Sequence, residues 1–475
     1  MGFALCTAVA ARDKWGHSTF EATPTNRFVQ ADRHTAYLLP PSIDEWLPET
    51  HLARFVVEVI EQLDLSELIG RYAGRGSAAH HPAVLLGLLI YGYASGVHSS
   101  RKIERATYDS VAFRFVAANT HPDHDTRATF RRRFLPQVEA LFVQVLLLAR
   151  EMKLLKLGQV ALDGTKVGAN ASKHKALSWA HAERIEAQLR QEVQGLLALA
   201  EQADGSALPD GLDVPAEIAR RETRLAAIAQ AKAKIEQRAQ ERQRRQQQEH
   251  EAQCARREAA RAAGKKPRGR SPAPPVPGPR ATDQVNLTDE DSRILPASGG
   301  GFVQGYNAQA AVDTATLLVL STHLTQAPND KQQLAPALER LGALPAALGQ
   351  VDTVLADSGY FSAANVAACE AAGIVPRVAL KREAHHLPVL ERFAEDAPPP
   401  ATDDPVVRMA HRLGTRAGRA LYALRKQTVE PVFGIVKQVM GWRRVSLRGL
   451  AQAAGEWTLA ALAWNIKRLH VLRAA

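Results

Sequence analysis

The chain has 475 residues, 46% hydrophobic and 23% charged, with a formal net charge of +11 and a pI near 9.6. That length buries more than one core and implies two to four domains, the composition is that of a soluble globular protein, and the cation surplus points to a polyanionic partner. Three scattered cysteines, Cys6, Cys254 and Cys369, without CxxC spacing, argue for a reducing compartment and against a zinc site.

Residues 1–40 are weakly periodic and read as a loose lead-in without a basic stretch ahead of Phe3–Ala11, so no secretory signal is expected and the cytoplasm is the expected location. Residues 41–150 read as helical. Apolar residues recur at helical spacing over Leu52–Leu68, Ala83–Tyr93, Ile103–Val116 and Val138–Leu148. Pro82–Val97 is apolar but too short to span a bilayer. Ser99 is a candidate helix cap, with Arg101 and Lys102 just after it. A second candidate helix start, 125–133, packs Arg127, Arg131, Arg132 and Arg133 into one short stretch.

The texture changes at Gly158. Gln159–Asp163 is a short β-like run expected to stop at the Asp163-Gly164 turn. From His181 to Gly264 the chain is rich in Ala, Glu, Gln, Arg and Lys, and reads as two long helices broken near Gly205–Pro215. Lys265–Pro279, rich in Pro and Arg, reads as disordered. Strands are then expected at Asn307–Val312, Leu317–Leu320, Val351–Ala356 and Ile374–Leu380, with helices at Lys331–Leu348 and Ala363–Ala372. Alternating strands and helices imply an α/β core with parallel pairs, and Asp163 and Asp357 then sit at carboxyl ends of strands, where such sheets place their chemistry.

From Pro405 onward thirteen Lys and Arg face only two acids, Glu430 and Glu456, a surplus equal to that of the whole chain. A lone carboxylate among cations suits a place where a metal-binding acid meets a phosphate backbone. Metal-dependent phosphoryl transfer needs carboxylates converging from separate elements, and Mg²⁺ takes hard oxygen ligands. Asp163, Asp357 and Glu430 meet that need together; alone, the first two read as turns and Glu430 as a surface acid paired with Lys426. An ideal helix puts Tyr422, Lys426, Glu430, Phe433 and Lys437 within a quarter turn, with Arg425 outside it. Pro431 implies that the helix either kinks or begins there. Asn170, Tyr306, Asn307 and Gln309 either line a site or buttress strands. Asn329-Asp330 reads as a helix cap rather than a ligand. Trp442 and Trp464 read as core.

These residues resemble bacterial insertion-sequence transposases of the DDE type with an InsH-type helical N-terminal domain. The matching text is HHPAVLLGLLIYGYASGVHSSRKIERATYDSVAFRFV at 80–116, DTRATFRRRF at 125–134, ALDGTKVGANASKHKALS at 161–178, GYNAQAAVD at 305–313, ADSGYFS at 356–362 and YALRKQTVEPVFGIVKQVMGWRRVSLRGL at 422–450. The resemblance implies an α/β ribonuclease H-like catalytic core, a mixed sheet flanked by helices, with an all-α N-terminal domain and a long helical insertion. Its parts would be the loose segment 1–40, a DNA-binding domain 41–150, the first part of the core 151–180, the insertion and linker 181–285, the rest of the core 286–450, and a C-terminal helix 451–475.

Asp163, Asp357 and Glu430 are then the implied catalytic and metal-binding triad, holding two Mg²⁺ ions for which Mn²⁺ substitutes. Tyr422, Arg425 or Lys426, and Lys437 match the family's Y-R-E-K pattern near DNA phosphates, the spacing to Glu430 fitting Lys426 better than Arg425. Arg443, Arg444 and Arg448 are further phosphate contacts, and Arg101, Lys102, Arg127 and Arg131–Arg133 are those of the N-terminal domain. The implied activity is hydrolysis at the element ends and transfer of the 3′-hydroxyl into target DNA. The implied partners are double-stranded DNA, as terminal inverted repeats and target, and a second protomer; the setting is the bacterial cytoplasm at the nucleoid, with no membrane. A nuclease of the same fold that does not join strands, and a non-catalytic repressor, are the rival readings. The run at 161–165 also resembles the D-x-D-G-T motif of haloacid-dehalogenase-like phosphatases, but Ala161 stands at the nucleophile position, which removes the covalent step.

Overall fold

In the computed structural model residues 42–72, 79–202, 211–264, 266, 269–297, 300–380, 395–402 and 404–474 are described; the lead-in 1–40 with Cys6, and Lys265, Pro267 and Arg268 of the linker, lie outside them. Helices come first: Leu52–Glu61 (α1), Ser66–Gly70 (α2), Pro82–Ser95 (α3), Ser100–Asp109 (α4), Val111–Val116 (α5), His124–Phe134 (α6) and Val138–Glu151 (α7). Two expected helices are each split. Asp64 turns the chain between α1 and α2, its Oδ1 accepting from Ser66 N at 2.9 Å. Ser110, extended at φ −115°, separates α4 from α5. α3 starts on Pro82 and stops at Gly96, whose φ of +84° is the left-handed geometry that glycine adopts without strain. Apolar on every face, α3 is the buried centre of the helical layer. Among the described residues no single helix is long and apolar enough to cross a membrane.

Gln159–Gly168 (β1) does not stop at Asp163. It runs five residues further, because it pairs in unbroken antiparallel register with Phe302–Asp313 (β5) from Val160–Asp313 to Gly168–Gly305, and that ladder overrides the local turn signal. Val319–Thr325 (β6) hairpins back on β5, and Arg293–Pro296 (β4), a strand the sequence reading missed, pairs with its start. On the other side of β1, Thr353–Ala356 (β7) and Val375–Val378 (β8) add in parallel. The result is a mixed sheet in the order β4–β5–β1–β7–β8, with β6 also on β5. Leu334–Gly342 (α10) and Ala363–Ala371 (α11) are the crossovers that make the parallel half possible.

Between β1 and β4 the chain leaves the sheet. Ala176–Ser178 (β2) and Gln284–Asn286 (β3) form a small ribbon, from which Trp179–Gln202 (α8) and Val214–Ala262 (α9) extend as a pair with its own core of Leu177, Ala182, Leu189, Ile228, Ile235 and Val285. With 49 residues against 24, α9 reaches roughly 74 Å and outruns its partner. The stretch 269–280 forms no helix or strand, yet it is not free of α9. Arg257 donates to the carbonyls of Gly269 and Arg270, and Arg242 to that of Gly278.

After β8 come Pro405–Gly414 (α12), Arg416–Gly434 (α13), a π-helical turn Ile435–Val439, and Leu450–Ala474 (α14). α14 joins the layers. Its Ala453, Trp457 and Leu462 enter one hydrophobic core with α1, α3, α7 and the sheet. Its buried Asn465 closes the free edge of β6, accepting from Val319 N at 2.8 Å and donating to Val319 O at 2.7 Å. Trp442 and Trp464 are core residues, as expected.

Candidate active site

Side chains alternate along β1, so Ala161, Asp163 and Thr165 share one face. The parallel register Ala161–Leu355, continued by two residues, brings Asp357 beside Asp163 on that face. Asp357 follows β7 directly, and its Oδ1 accepts from Gly359 N at 2.8 Å, capping a tight turn. Helix α13 crosses the same face. It buries Arg425, Thr428, Val429, Val432 and Phe433 against the sheet and leaves Glu430 at its edge, 54% exposed. Arg425 reaches Asp163 Oδ2 at 3.1 Å through one terminal nitrogen and Glu430 Oε1 at 3.4 Å through the other. One guanidinium therefore ties together acids from opposite ends of the chain.

The electrostatics follow from burial. Asp163 is 17% exposed, and burial raises its pKa to about 6; Arg425 and the Gly164 amide pull it down, while Asp357 and Asp330 push it up. Arg425 is also buried, which disfavours its charge, but Asp163, Tyr422, Asp357 and Glu430 more than offset that and raise its pKa. Lys437 donates to Thr165 Oγ1 and to the Lys166 carbonyl, and burial, then Lys166, lowers its pKa.

Three expectations are decided at this site. Of the two readings of Pro431, a kink or a helix start, the start is excluded, because α13 begins at Arg416 and carries Pro431 in its interior. Proline has no N–H to offer the Gln427 carbonyl, but Gln427 is exposed, where water can serve it, and the ladder widens to a π turn after Gly434. Lys426 is exposed, and Arg425, which the helix-face reading put outside the stripe, is the cation that meets Glu430. Asp330 does not cap α10, whose cap position is Gln333. Its Oδ1 instead accepts from Asn307 Nδ2 at 2.7 Å and Gln309 Nε2 at 2.6 Å, and Tyr360 donates to Gln309 Oε1. This network packs so closely over Gly164 that a Cβ there would collide with Gln309 and Asp330. The signal was present in the sequence: Asn307 and Gln309 at alternate positions beside Ala308, Ala310, Ala311 and Val312 demand a polar partner. Tyr306 and Asn170 are buttresses, Tyr306 donating to Asp289 and Asn170 to the Ser446 carbonyl.

In kind, the donors fit a hard divalent cation: three carboxylates, one of them desolvated and pushed toward protonation by its anionic neighbours. In arrangement, two of them are turned onto Arg425, and among the described residues no three His, Cys, Asp or Glu side chains are grouped to hold an ion.

Residues 275–466 match the family described as Transposase DDE domain, and residues 41–133 the family described as Transposase domain (DUF772). The chain is an insertion-sequence DDE transposase. No curated protein and no solved structure matched it. The first match contains Asp357 and Glu430; Asp163 lies ahead of it, on the far side of the helical insertion.

The transposase presents its other candidate DNA contacts unevenly. Arg101, Lys102, Arg132, Arg133, Arg443, Arg444 and Arg448 are exposed. Arg133 lies over the rings of Tyr72 and Phe134, and Arg443 donates to the Lys437 carbonyl. Arg127 and Arg131 do not belong with them. Arg127 is 0% exposed and spends its donors on the carbonyls of Pro122 and Ser100, beside Glu104. Arg131 is buried and donates to Tyr93 Oη at 3.3 Å. Both are turned inward and hold α6 to α3 and α4.

Proposed function

We propose that Asp163, Asp357 and Glu430 are the catalytic carboxylates of this transposase, carried on a ribonuclease H-like core. The strand order β6–β5–β1–β7–β8, antiparallel on one side of β1 and parallel on the other, supports that fold. The observation that carries the site is Arg425, whose single guanidinium reaches both Asp163 and Glu430.

The three carboxylates would hold two Mg²⁺ ions, or Mn²⁺ in their place. Divalent ions bound there supply the Lewis acidity that activates the attacking oxygen and stabilises the leaving one. The chain's own residues set up the rest. Burial of Asp163 excludes competing water and strengthens every charge interaction at the strand. Arg425, released from a carboxylate, is free to meet the scissile phosphate, with Tyr422 beside it and Lys437 further along β1. The same pocket would first hydrolyse the phosphodiester at an element end and then align the freed 3′-hydroxyl for in-line attack on target DNA. Helices α1–α7, through Arg101, Lys102, Arg132 and Arg133, would contact the terminal inverted repeats. Acting on two ends calls for a homodimer, working at the nucleoid in the cytoplasm.

The test is Asp163→Asn, Asp357→Asn and Glu430→Gln, each assayed with Mg²⁺ for cleavage of the element ends and for joining of a pre-cut 3′ end. Each variant should lose both reactions and keep DNA binding. Wild-type cleavage by any one of them removes that residue from the site, and cleavage without joining in the parent protein replaces the transfer step with a nuclease.

A further inference from the structure

Beyond the carboxylates, β1 leads into a second feature. At its far end Gly168 bridges to Arg444, with Gly168 N donating to Arg443 O at 3.0 Å and Val445 N to Gly168 O at 2.9 Å. The loop 441–449 thus lies alongside the end of the strand. Arg448 Nε donates to Asn170 O at 3.3 Å, and Asn170 Nδ2 returns a bond to Ser446 O at 2.6 Å, which fixes the two walls to each other. Between them opens a groove of about 590 Å³. Lys173, Lys175, Arg444 and Arg448 line it together with His174, and among the described residues no Asp or Glu does. Phe302, at the start of β5, stands in the same wall with 73% of its surface exposed.

Four fixed cations without a counter-acid describe a polyanion site. The cations are also in line with the carboxylates. Arg425 meets β1 at Asp163, Lys437 at Thr165 and Lys166, and Arg444 at Gly168. Five residues of strand cover roughly 17 Å, the length of several phosphates. The volume matches a ligand of drug size, on the order of one or two nucleotides. An exposed ring among cations offers the face on which an unpaired base stacks, and a base inside a duplex has no such face free.

We propose that this groove holds an unpaired stretch of DNA strand leading away from the carboxylates, its phosphates on Lys173, Lys175, Arg444 and Arg448 and one nucleobase on Phe302. The assignment rests on the reading of Asp163, Asp357 and Glu430 as the cutting site, which sets the strand's direction. It gives the transposase a means to keep the cut end open while the 3′-hydroxyl is presented.

The test uses the full-length protein, a labelled twelve-residue oligothymidylate and a blunt duplex of mixed sequence and equal length. Phe302→Ala should weaken single-strand binding about 5- to 100-fold while duplex binding stays within about twofold. The double variant Lys173→Gln, Lys175→Gln should lower the slope of log K against log salt for the single strand by about 1.4. Unchanged melting of both variants excludes a folding defect, since all three side chains are exposed. Equal losses on single strand and duplex, or no loss with Phe302→Ala, overturns the groove. Repeating the measurement on Asp163→Asn separates the two readings. Retained cleavage there with an intact Phe302 effect sinks the cutting site and with it the strand's direction, whereas lost cleavage without a Phe302 effect sinks the groove alone.

Discussion

Glu456→Gln is the substitution whose cost the structure lets one work out. Glu456 is fully buried on α14, and its carboxylate collects four donors. Oε1 accepts from Tyr93 Oη at 2.9 Å, Trp442 Nε1 at 3.3 Å and Ser446 N at 3.0 Å; Oε2 accepts from Ser446 N at 2.8 Å and Leu447 N at 3.0 Å. Gln keeps the volume, but one oxygen becomes a donor. The cheaper orientation puts the new NH₂ at the Oε2 position and orphans Leu447 N, about 1–3 kcal/mol, while the three bonds that remain fall from charge-assisted to neutral at about 1 kcal/mol each. The total is about 4–6 kcal/mol, a large share of a typical 5–15 kcal/mol. Denaturant unfolding followed by near-ultraviolet circular dichroism reads it directly, because Trp442 stacks on Trp457 at 5.2 Å beside the substituted group. Since Glu456 pins the backbone at Ser446 and Leu447, next to Arg444 and Arg448, DNA affinity should fall at denaturant concentrations where helicity is still intact. A loss below about 1 kcal/mol would show that those donors find other partners and that the hub reasoning is mistaken.

Three further outcomes follow from the same geometry. Arg425→Lys keeps the charge but cannot fork between two acids, so kcat/KM for end cleavage should fall roughly 10- to 100-fold; a lysine variant with wild-type kinetics would mean that the bridge is incidental. Arg127→Ala should cost about 2–4 kcal/mol of stability and leave the salt slope of DNA binding unchanged, whereas Arg132→Gln should lower that slope by about 0.9 with no change in stability; the reverse pattern would put Arg127 back on the DNA. Burial holds His98 below its ordinary value of 6.5, so the unfolded chain takes up this proton first as pH falls. Glu456, Arg131 and Lys102 are the charges around His98. The stability it contributes is present above about pH 6.5 and lost below it, and His51 and His323 act in the same sense. Denaturation midpoints at pH 7.5 and 5.5 should therefore differ less in His98→Gln than in the parent protein.

What could be read from the sequence was what local chemistry decides. α3 announces itself by Pro82 and an unbroken apolar surface, the α8–α9 pair by its helix formers, and the turn at Asp357 by Asp-Ser-Gly. What could not be read was decided by distant partners. The turn signal at Asp163-Gly164 loses to a ladder with β5, more than a hundred residues away. Four cations in 125–133 look alike along the chain, yet the fold turns Arg127 and Arg131 inward, because Pro122, Ser100 and Tyr93 offer them oxygen. Pro431 could have started a new helix, and it does not, because Arg425, Val429, Val432 and Val436 are buried on either side of it in one continuous element. The pairing of Glu430 with Arg425 rather than Lys426 follows from the same burial, which turns Arg425 toward Asp163 and Lys426 toward solvent.

The distance between the acids along the chain has a physical cause as well. The chain leaves the sheet only after β1 has passed Gly168, five residues and roughly 17 Å beyond Asp163. It goes out and comes back as a ribbon. Trp179 N donates to Asp283 O at 2.8 Å, Leu287 N to Lys175 O at 3.0 Å and Asn286 Nδ2 to Ser172 O at 2.8 Å, so both ends of the insertion are closed at one point. The core inside α8 and α9 then meets the ordering cost of those residues locally. Lengthening a closed loop costs only about 0.6 kcal/mol per doubling, a small term beside the β1–β5 ladder that crosses its base. An insertion placed there can grow without moving Asp163 relative to β7 or α13. A break one or two residues after Asp163, where the local turn signal puts it, would cut the ladder at the site itself. The position of the exit, more than the length of what lies beyond it, is what keeps Asp163 in register with β7 and in reach of Arg425.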